Sequence, residues 1–267
     1  MLKNITLGQY IPGNSIIHRA DPRTKIIWTV FLMITLFAAS NIYGYVMMIA
    51  VVGIILLVSD VPISYTLRGL KPLFVILIIT AAINIFTYPG DTELITFGIL
   101  RITLEGVMQA IFIAIRLSLM VIIGSILTLT TTPISLTDGL ETLMAPLKKI
   151  KVPVHEMAMM MSIALRFIPT LLEETDRIIK AQSSRGADFD TGNFLEKAKS
   201  FIPVLIPLFV SAFKRAEELA TAMESRCYRG DINRTRLKEL TYTKDDRKIS
   251  IFLSIFLVVF ILSKVYM

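Results

Sequence analysis

Residues 155–186 read HEMAMMMSIALRFIPTLLEETDRIIKAQSSRG, and residues 193–230 read NFLEKAKSFIPVLIPLFVSAFKRAEELATAMESRCYRG. Each segment begins apolar on all sides, contains proline, and becomes amphipathic and charged before it reaches a Ser-Arg pair. This pattern predicts two long helices that leave an apolar environment and end at a hydrated surface. A single helix over 193–228 would be about 54 Å long at about 1.5 Å per residue. Since this is nearly twice the thickness of the hydrocarbon layer, we expect this helix to run obliquely or flat along a membrane face.

The composition of the whole chain favours an all-α integral membrane protein. The hydrophobic fraction is 54%, whereas soluble domains have about 45–50%. Charged residues are almost absent from four stretches, each close to or longer than the roughly 20 residues that a spanning helix needs: 26–59, 72–88, 102–130 and 249–265. One cysteine and two histidines predict neither an internal disulfide nor a metal site. The net charge of +7 favours a surface beside anionic lipid headgroups or acidic partners over a nucleic-acid-binding surface.

The apolar stretches predict about five membrane-spanning helices. The first stretch is interrupted by the polar and glycine-containing residues 40–45, which indicates a helical hairpin, although one long tilted helix remains an alternative. Residues 60–71 and 89–101 are predicted to be connectors. The predicted spans are 26–40, 42–58, 72–88, 102–130 and 249–265. The corresponding division is an N-terminal membrane domain (1–132), a coupling module with the two long helices (133–248) and a C-terminal transmembrane helix (249–267).

The distribution of basic residues predicts the orientation of this multi-pass protein. Lysine and arginine concentrate in cytoplasmic loops of membrane proteins. Here they lie before the first span, between the second and third spans, and after the fourth span. These residues are Arg19, Arg23 and Lys25, then Arg68 and Lys71, and then Lys148, Lys149 and Lys151. The N-terminus and residues 133–248 are therefore predicted to be cytoplasmic. Within this part, residues 135–150 have the spacing of a short amphipathic helix, and residues 231–248 read as a charged, solvated connector that holds the bare pair Asp245-Asp246.

The two Ser-Arg ends are the candidate functional sites. They consist of Ser184, Arg185 and Gly186 in the first helix and of Ser225, Arg226 and Cys227 in the second. A cation at a helix C-terminus is stabilised by the helix dipole, and glycine is a common C-terminal cap, so that both arginines could be purely structural. Alternatively, each guanidinium projects into a groove of a partner protein and binds carboxylates or carbonyls there.

Further residues are candidates for helix packing or for contacts with partner subunits. A narrow stripe with small side chains predicts a place where the two long helices cross closely: Ala216, Leu219, Ala220 and Met223. Arg116 lies in the middle of a predicted span, where a charge either contacts a partner subunit or pairs with polar groups inside the bundle. Met157 and Met160 either pack adaptably or contribute to a partner surface. The prolines at 169, 203 and 207 predict helix bends.

Three stretches resemble the transmembrane T component of energy-coupling factor (ECF) transporters, the EcfT/CbiQ family. They are HRADPRTK (18–25), ALRFIPTLLEETDRIIKAQSSRGAD (164–188) and PLFVSAFKRAEELATAMESRCYRGD (207–231), in this order, and the resemblance extends over nearly the whole chain. It implies a prokaryotic cell-membrane subunit of an importer for vitamins or transition-metal ions. It also implies that the subunit itself is not an enzyme.

The resemblance also implies partners and site residues. In the family, an X-Arg-X motif ends each of two coupling helices and docks on one of two cytoplasmic ATPase subunits, which bind the ATP and magnesium. The membrane part contacts a small substrate-binding S component. Matched by position, the motifs are 184–186 and 225–227. Cys227 stands where the family usually has glycine, and since cysteine adopts positive φ only at a cost, we expect the second helix to end differently, with Gly230 as its cap.

Two other classes of function remain as alternatives to the coupling subunit. A secondary transporter would be expected to show inverted repeats and polar groups at the membrane midplane, and only Arg116 fits this expectation. An intramembrane lipid-modifying enzyme would need a cluster of carboxylates or histidines at a span end, which the sequence does not show. The sequence also lacks a GxxxxGK[ST] phosphate-binding loop.

Overall fold

The computed structural model describes residues 10–89, 92–97, 100–189, 193–230 and 239–266, and within them the chain is mainly helical, as the sequence predicts. The chain forms two compact units. The bundle unit consists of Gly8–Leu143 together with Leu240–Met267, and the long-helix unit consists mainly of Met144–Glu239. The last helix thus belongs to the same unit as the N-terminal helices.

The chain begins the bundle with a short helix and a helical hairpin. The elements are α1 (Ile16–Arg19), α2 (Pro22–Ala38) and α3 (Ile42–Val58). Asp21 caps α2, since its carboxylate accepts a hydrogen bond of 2.8 Å from the N–H of Arg23. The backbone leaves the helical conformation between α2 and α3, so that the predicted hairpin is confirmed and the single tilted helix is excluded.

The segment after α3 is more helical than predicted. It contains α4 (Ile63–Leu70), a 3-10 turn (Lys71–Leu73) and α5 (Phe74–Thr87), which together form one helical segment of 25 residues. The prediction of a connector over 60–71 is therefore wrong for most of its length. The helix accommodates the charge of Arg68 on one face, where its guanidinium lies 5.0 Å from the ring centroid of Tyr65.

A β-hairpin occupies much of the second predicted connector. Strand β1 (Glu93–Phe97) pairs with β2 (Leu100–Thr103) in antiparallel orientation, with Phe97 opposite Leu100. The sequence predicts a connector over 89–101, and this hairpin forms part of the link between α5 and α6, while residues 90–91 and 98–99 lie outside the described residues. Helix α6 (Leu104–Thr130) follows directly, capped by the Thr103 hydroxyl, which accepts a hydrogen bond of 3.1 Å from the N–H of Gly106.

The remaining helices are α7 (Pro133–Met144), α8 (Val154–Ser184), α9 (Phe194–Ser200), α10 (Ile202–Ser225) and α11 (Lys244–Tyr266). The predicted amphipathic helix over 135–150 is confirmed as α7, although its last residues form a 3-10 turn (Ala145–Ile150). The prediction of one continuous helix over 193–228 is wrong, because α9 ends at Ser200 and α10 begins at Ile202, with Phe201 between them. Pro203 explains the break, since proline fits the first turn of a new helix but not a helix interior.

Helix α11 begins at Lys244, within the predicted connector 231–248, of which residues 231–238 lie outside the described residues. The interpretation of Asp245-Asp246 as a bare solvated pair is wrong for Asp246, of which only 3% is exposed. Its carboxylate accepts a hydrogen bond of 2.7 Å from the N–H of Thr243, as in the capping box of a helix start.

The core of the bundle unit is built by α2, α3, α6 and α11, which contribute Leu36, Met48, Ile123 and Phe256 among others. Helix α5 packs along α6, yet every side chain of α5 is at least partly exposed. By length and composition, the segments Ile63–Thr87 and Leu104–Thr130 are able to cross a membrane, and α3 is a shorter apolar helix. The count of about five spans stays a prediction.

Two polar contacts show which helix ends lie together in the bundle. The ammonium of Lys25 at the start of α2 donates a hydrogen bond of 2.9 Å to the carbonyl of Thr130, the last residue of α6. The N–H of Asp21 donates one of 2.6 Å to Asp246 in the first turn of α11. We call this end, where α2 and α11 begin and α6 ends, the junction end. Residues Met144–Glu239, which carry both Ser-Arg pairs, belong to the long-helix unit.

Candidate functional site

The first Ser-Arg pair lies at the end of α8. Arg185 is the C-cap residue, and Gly186 follows in the left-handed conformation with φ +88°. The N–H of Gly186 donates a hydrogen bond of 3.0 Å to the carbonyl of Ser183, and the N–H of Ala187 donates one of 3.0 Å to Gln182. These two bonds define a Schellman motif, in which the left-handed residue reverses the chain and satisfies the last helical carbonyls. The predicted role of Gly186 as a cap is confirmed.

The second pair ends α10 in the same way. Arg226 is the C-cap residue and Cys227 adopts φ +57°. The N–H of Cys227 donates a hydrogen bond of 2.9 Å to Glu224, and the N–H of Tyr228 donates one of 3.0 Å to Met223. The expectation that cysteine would change the cap, with Gly230 ending the helix, is therefore wrong. Two backbone hydrogen bonds offset the conformational cost of a side chain in the left-handed region.

The six residues of the two motifs share one environment. All of them are exposed: Ser184, Arg185, Gly186, Ser225, Arg226 and Cys227. A guanidinium at this position continues the helix beyond its last turn, and the negative end of the helix dipole stabilises its charge. The dipole reading thus accounts for where the arginines lie. It does not account for why two helices with different sequences present the same exposed cation on the same turn.

The two arginine-bearing ends lie at opposite ends of an antiparallel helix pair. Near the end of α8, the side chain of Gln182 donates a hydrogen bond of 3.4 Å to the carbonyl of Pro203 in the first turn of α10. Beyond the end of α10, the hydroxyl of Tyr228 lies 3.0 Å from the sulfur of Met159 near the start of α8. Each arginine therefore projects beside the beginning of the other helix. From its 24 residues, α10 is about 36 Å long, which sets the scale of the separation.

An ion pair connects the middle of the two helices. Arg215 of α10 donates a hydrogen bond of 2.7 Å to the carboxylate of Glu174 in α8. Their side chains are 34% and 24% exposed, so that water screens the pair only in part. The pair fixes the register of the antiparallel helices between their two end contacts.

The predicted crossing stripe is divided between two environments in the structure. Leu219 and Met223 are half-buried, on the same stripe of α10 as Arg215. Ala216 and Ala220 are exposed. The role of these four residues in a close helix crossing stays a prediction.

Arg116 lies inside the bundle unit and contacts the end of α2. Its guanidinium donates hydrogen bonds of 3.0 Å to the carbonyl of Ala39 and of 2.5 Å to the hydroxyl of Tyr45. It also lies 5.9 Å from the ring centroid of Phe37. The C-terminal carbonyls of a helix lack helical partners, so that a cation there is favourable even among apolar side chains. A contact of Arg116 with an S component stays a prediction.

Met157 and Met160 lie near the beginning of α8. They are 43% and 58% exposed. Exposed, flexible thioether side chains can pack against varied apolar surfaces. Their position is therefore compatible with a partner surface, but their role also stays a prediction.

Comparison with known proteins places these features in a family. The model of the CbiQ family, described as "Cobalt transport protein", matches residues 13–237. A protein of Ruminiclostridium cellulolyticum named "Energy-coupling factor transporter transmembrane protein EcfT" is 60% identical over 246 residues, which cover 92% of each chain. Proteins of the same name from Clostridium kluyveri and Bacillus subtilis are 49% and 47% identical. These alignments cover 100% and 93% of this chain and 99% and 94% of the relatives.

Proposed function

The chain belongs to the CbiQ family of transport proteins, and we propose that it is the transmembrane coupling subunit of an energy-coupling factor importer in a prokaryotic cell membrane. In this role the chain catalyses no reaction itself. Two cytoplasmic ATPase subunits bind ATP and magnesium and hydrolyse the ATP. The coupling subunit passes their motion to a small membrane-embedded S component, which binds a vitamin or a transition-metal ion.

The observation that carries this proposal is the repeated helix end. Arg185 and Arg226 occupy the same position of the same Schellman motif, are both exposed, and project from opposite ends of one antiparallel pair. Two like sites about 36 Å apart suit two like partners, each of which binds one guanidinium in a groove with carboxylates or carbonyls. When the ATPases close on ATP, the two ends move relative to each other.

The bundle supports the proposed membrane topology. Five crossings through α2, α3, α4–α5, α6 and α11 alternate in direction, and the contacts of Lys25 and Asp246 place the starts of α2 and α11 and the end of α6 at one end. Both arginine motifs then belong to the cytoplasmic side, together with the N-terminus. The exposed aliphatic side chains of α5 face lipid or the S component in this arrangement.

Co-purification with the partner subunits tests the function. We expect the wild-type chain to purify from native membranes with two ATPases and a small hydrophobic protein. Arg185→Ala and Arg226→Ala should each reduce the amount of bound ATPase or the uptake per ATP hydrolysed, and the double variant should be worse. Lys180→Ala is the control, because Lys180 is an exposed cation of α8 outside the motif. Wild-type uptake in the double variant would refute the docking roles.

A further inference from the structure

A buried polar cluster lies at the junction end of the bundle unit. Its centre is Asp246, whose Oδ1 accepts a hydrogen bond of 2.6 Å from the N–H of Asp21. Its Oδ2 accepts two of 2.7 Å each, from the N–H and the hydroxyl of Thr243. Asp21 caps α2 and Thr243 immediately precedes α11. One carboxylate thus joins the N-termini of two helices, where a negative charge is favourable.

Arg23 links this cluster to the connector between α10 and α11. The connector comprises residues 226–243, of which residues 231–238 lie outside the described residues. Its guanidinium binds both carboxylate oxygens of Asp21, at 3.0 and 2.8 Å. The same group donates a hydrogen bond of 2.9 Å to the carbonyl of Leu240 and lies 4.2 Å from the ring centroid of Tyr242. These hydrogen bonds to Asp21 raise the pKa of Arg23, which therefore stays charged. Leu240 and Tyr242 precede α11, so that Arg23 holds the connector itself as well as the helices.

The charged side chains of this cluster are buried, which is unusual for a purely structural contact. The side chains of Arg23 and Asp21 are only 13% and 2% exposed, and Asp246 is 3% exposed. Burial of ionised groups is costly even when they are paired, and well-packed apolar residues are often at least as stabilising. Directional, bidentate hydrogen bonds do fix the relative position of the groups more strictly than apolar packing. The cluster is thus suited to fix the end of the connector relative to the starts of α2 and α11.

We propose that Asp21, Arg23 and Asp246 form an anchor that fixes the end of the connector on the bundle and is required for energy coupling. The proposal rests on the proposed function. Covalently, motion of the Arg226 end can reach α11 only through residues 227–243. If residues 240–243 are held, displacement of the connector acts on α2 and α11 together. If they are free, the connector takes up the displacement by changing its own conformation.

The test compares coupling in the complete transporter, reconstituted in liposomes with its ATPases and S component. Tyr242→Ala and Arg23→Ala release the connector, and Arg19→Ala is the matched control, because the Arg19 side chain is exposed and its ion pair with Asp245 is long, at 4.0 Å. We expect both Tyr242→Ala and Arg23→Ala to assemble and hydrolyse ATP but to lose uptake relative to hydrolysis, while the control retains wild-type coupling. Uptake and hydrolysis that fall together, in proportion to the assembled complex, would show a structural role only and overturn the proposal.

Amide hydrogen exchange on the full-length chain in nanodiscs tests the anchor without partner subunits. In Asp246→Ala, exchange at Asp21 and Thr243 should be about tenfold faster or more, as expected for loss of hydrogen bonds to a charged acceptor. Asp245→Ala is the control and should leave both amides protected. Unchanged exchange in Asp246→Ala would refute the anchor. Wild-type chain that purifies without ATPases would instead contradict the proposed function, and the exchange result would still decide the anchor geometry.

Discussion

Replacing Gly186 by alanine tests whether the left-handed turn positions Arg185. Gly186 has φ +88°, and a Cβ added there would meet no atom within 4 Å, so that the cost of the substitution is one of backbone conformation alone. A left-handed L-residue costs about 1–2 kcal/mol. Such a change alters the ratio of formed to unformed turn by a factor of about 5–30. If the turn is needed for docking, the affinity for the ATPase should fall by up to this factor, and by the full factor where the unformed turn predominates in the variant.

The assay combines titration of the ATPase with amide exchange at the helix end. In Gly186→Ala, the amides of residues 186 and 187 should exchange faster, because their hydrogen bonds to Ser183 and Gln182 depend on the turn. Ser183→Ala is the matched control, since Ser183 is an exposed residue of α8 outside the docking motif, and the substitution leaves in place the backbone carbonyl that belongs to the turn. Wild-type affinity together with fast exchange in Gly186→Ala would refute the link between the turn and docking.

The second motif provides the converse substitution. Cys227 already bears the conformational cost at φ +57°, so that Cys227→Gly should stabilise the end of α10. The expected gain is below about 1 kcal/mol, because glycine also loses more conformational entropy when it is ordered. Slower exchange at the amide of Tyr228 and equal or tighter ATPase binding are the expected results. Weaker binding in Cys227→Gly would show that the thiol itself contacts the partner.

Three further variants test contacts within the two units. Arg116→Leu removes the donor that binds the Tyr45 hydroxyl and the carbonyl of Ala39, and it should destabilise the bundle by about 1–3 kcal/mol in thermal unfolding; an unchanged melting temperature would contradict this. Arg215→Ala, Glu174→Ala and the double variant should give a coupling energy of about 0.5–1 kcal/mol, and additive effects would show that the pair contributes nothing. Burial lowers the pKa of Lys25 from 10.5 to about 8. The folded chain thus releases this proton before the unfolded chain does, so that stability should rise between about pH 8 and 10.5 in the wild type but less in Lys25→Met; equal pH profiles would refute it.

The sequence predicted those features that depend on long apolar runs or on glycine. The hairpin of α2 and α3 followed from polar residues inside one apolar stretch, and the left-handed turn at Gly186 followed from the preference of glycine for positive φ. The same reasoning failed at Cys227. There the intrinsic cost is small compared with the combined effect of the two hydrogen bonds and the packing of the whole helix, so that tertiary structure overrides local preference.

Other features escaped prediction because their signals are short or non-local. The β-branched residues around 93–103 indicate strands, but an apolar chain with many spans made a connector the simpler interpretation. Asp246 is separated by 225 positions from its partner Asp21. Composition around Asp246 predicts a solvated segment, and only the fold brings it to the start of α2.

The antiparallel pairing of α8 and α10 gives the long-helix unit an approximate internal dyad. A half-turn about an axis through the Glu174–Arg215 contact exchanges one arginine-tipped end for the other. If two ATPase subunits are the partners, as proposed, a single polypeptide that is not symmetric as a whole presents a similar arginine-bearing helix end to each of them. The two halves differ in the left-handed residue, which is Gly186 in one and Cys227 in the other, and under the proposed function this difference could distinguish the two binding sites.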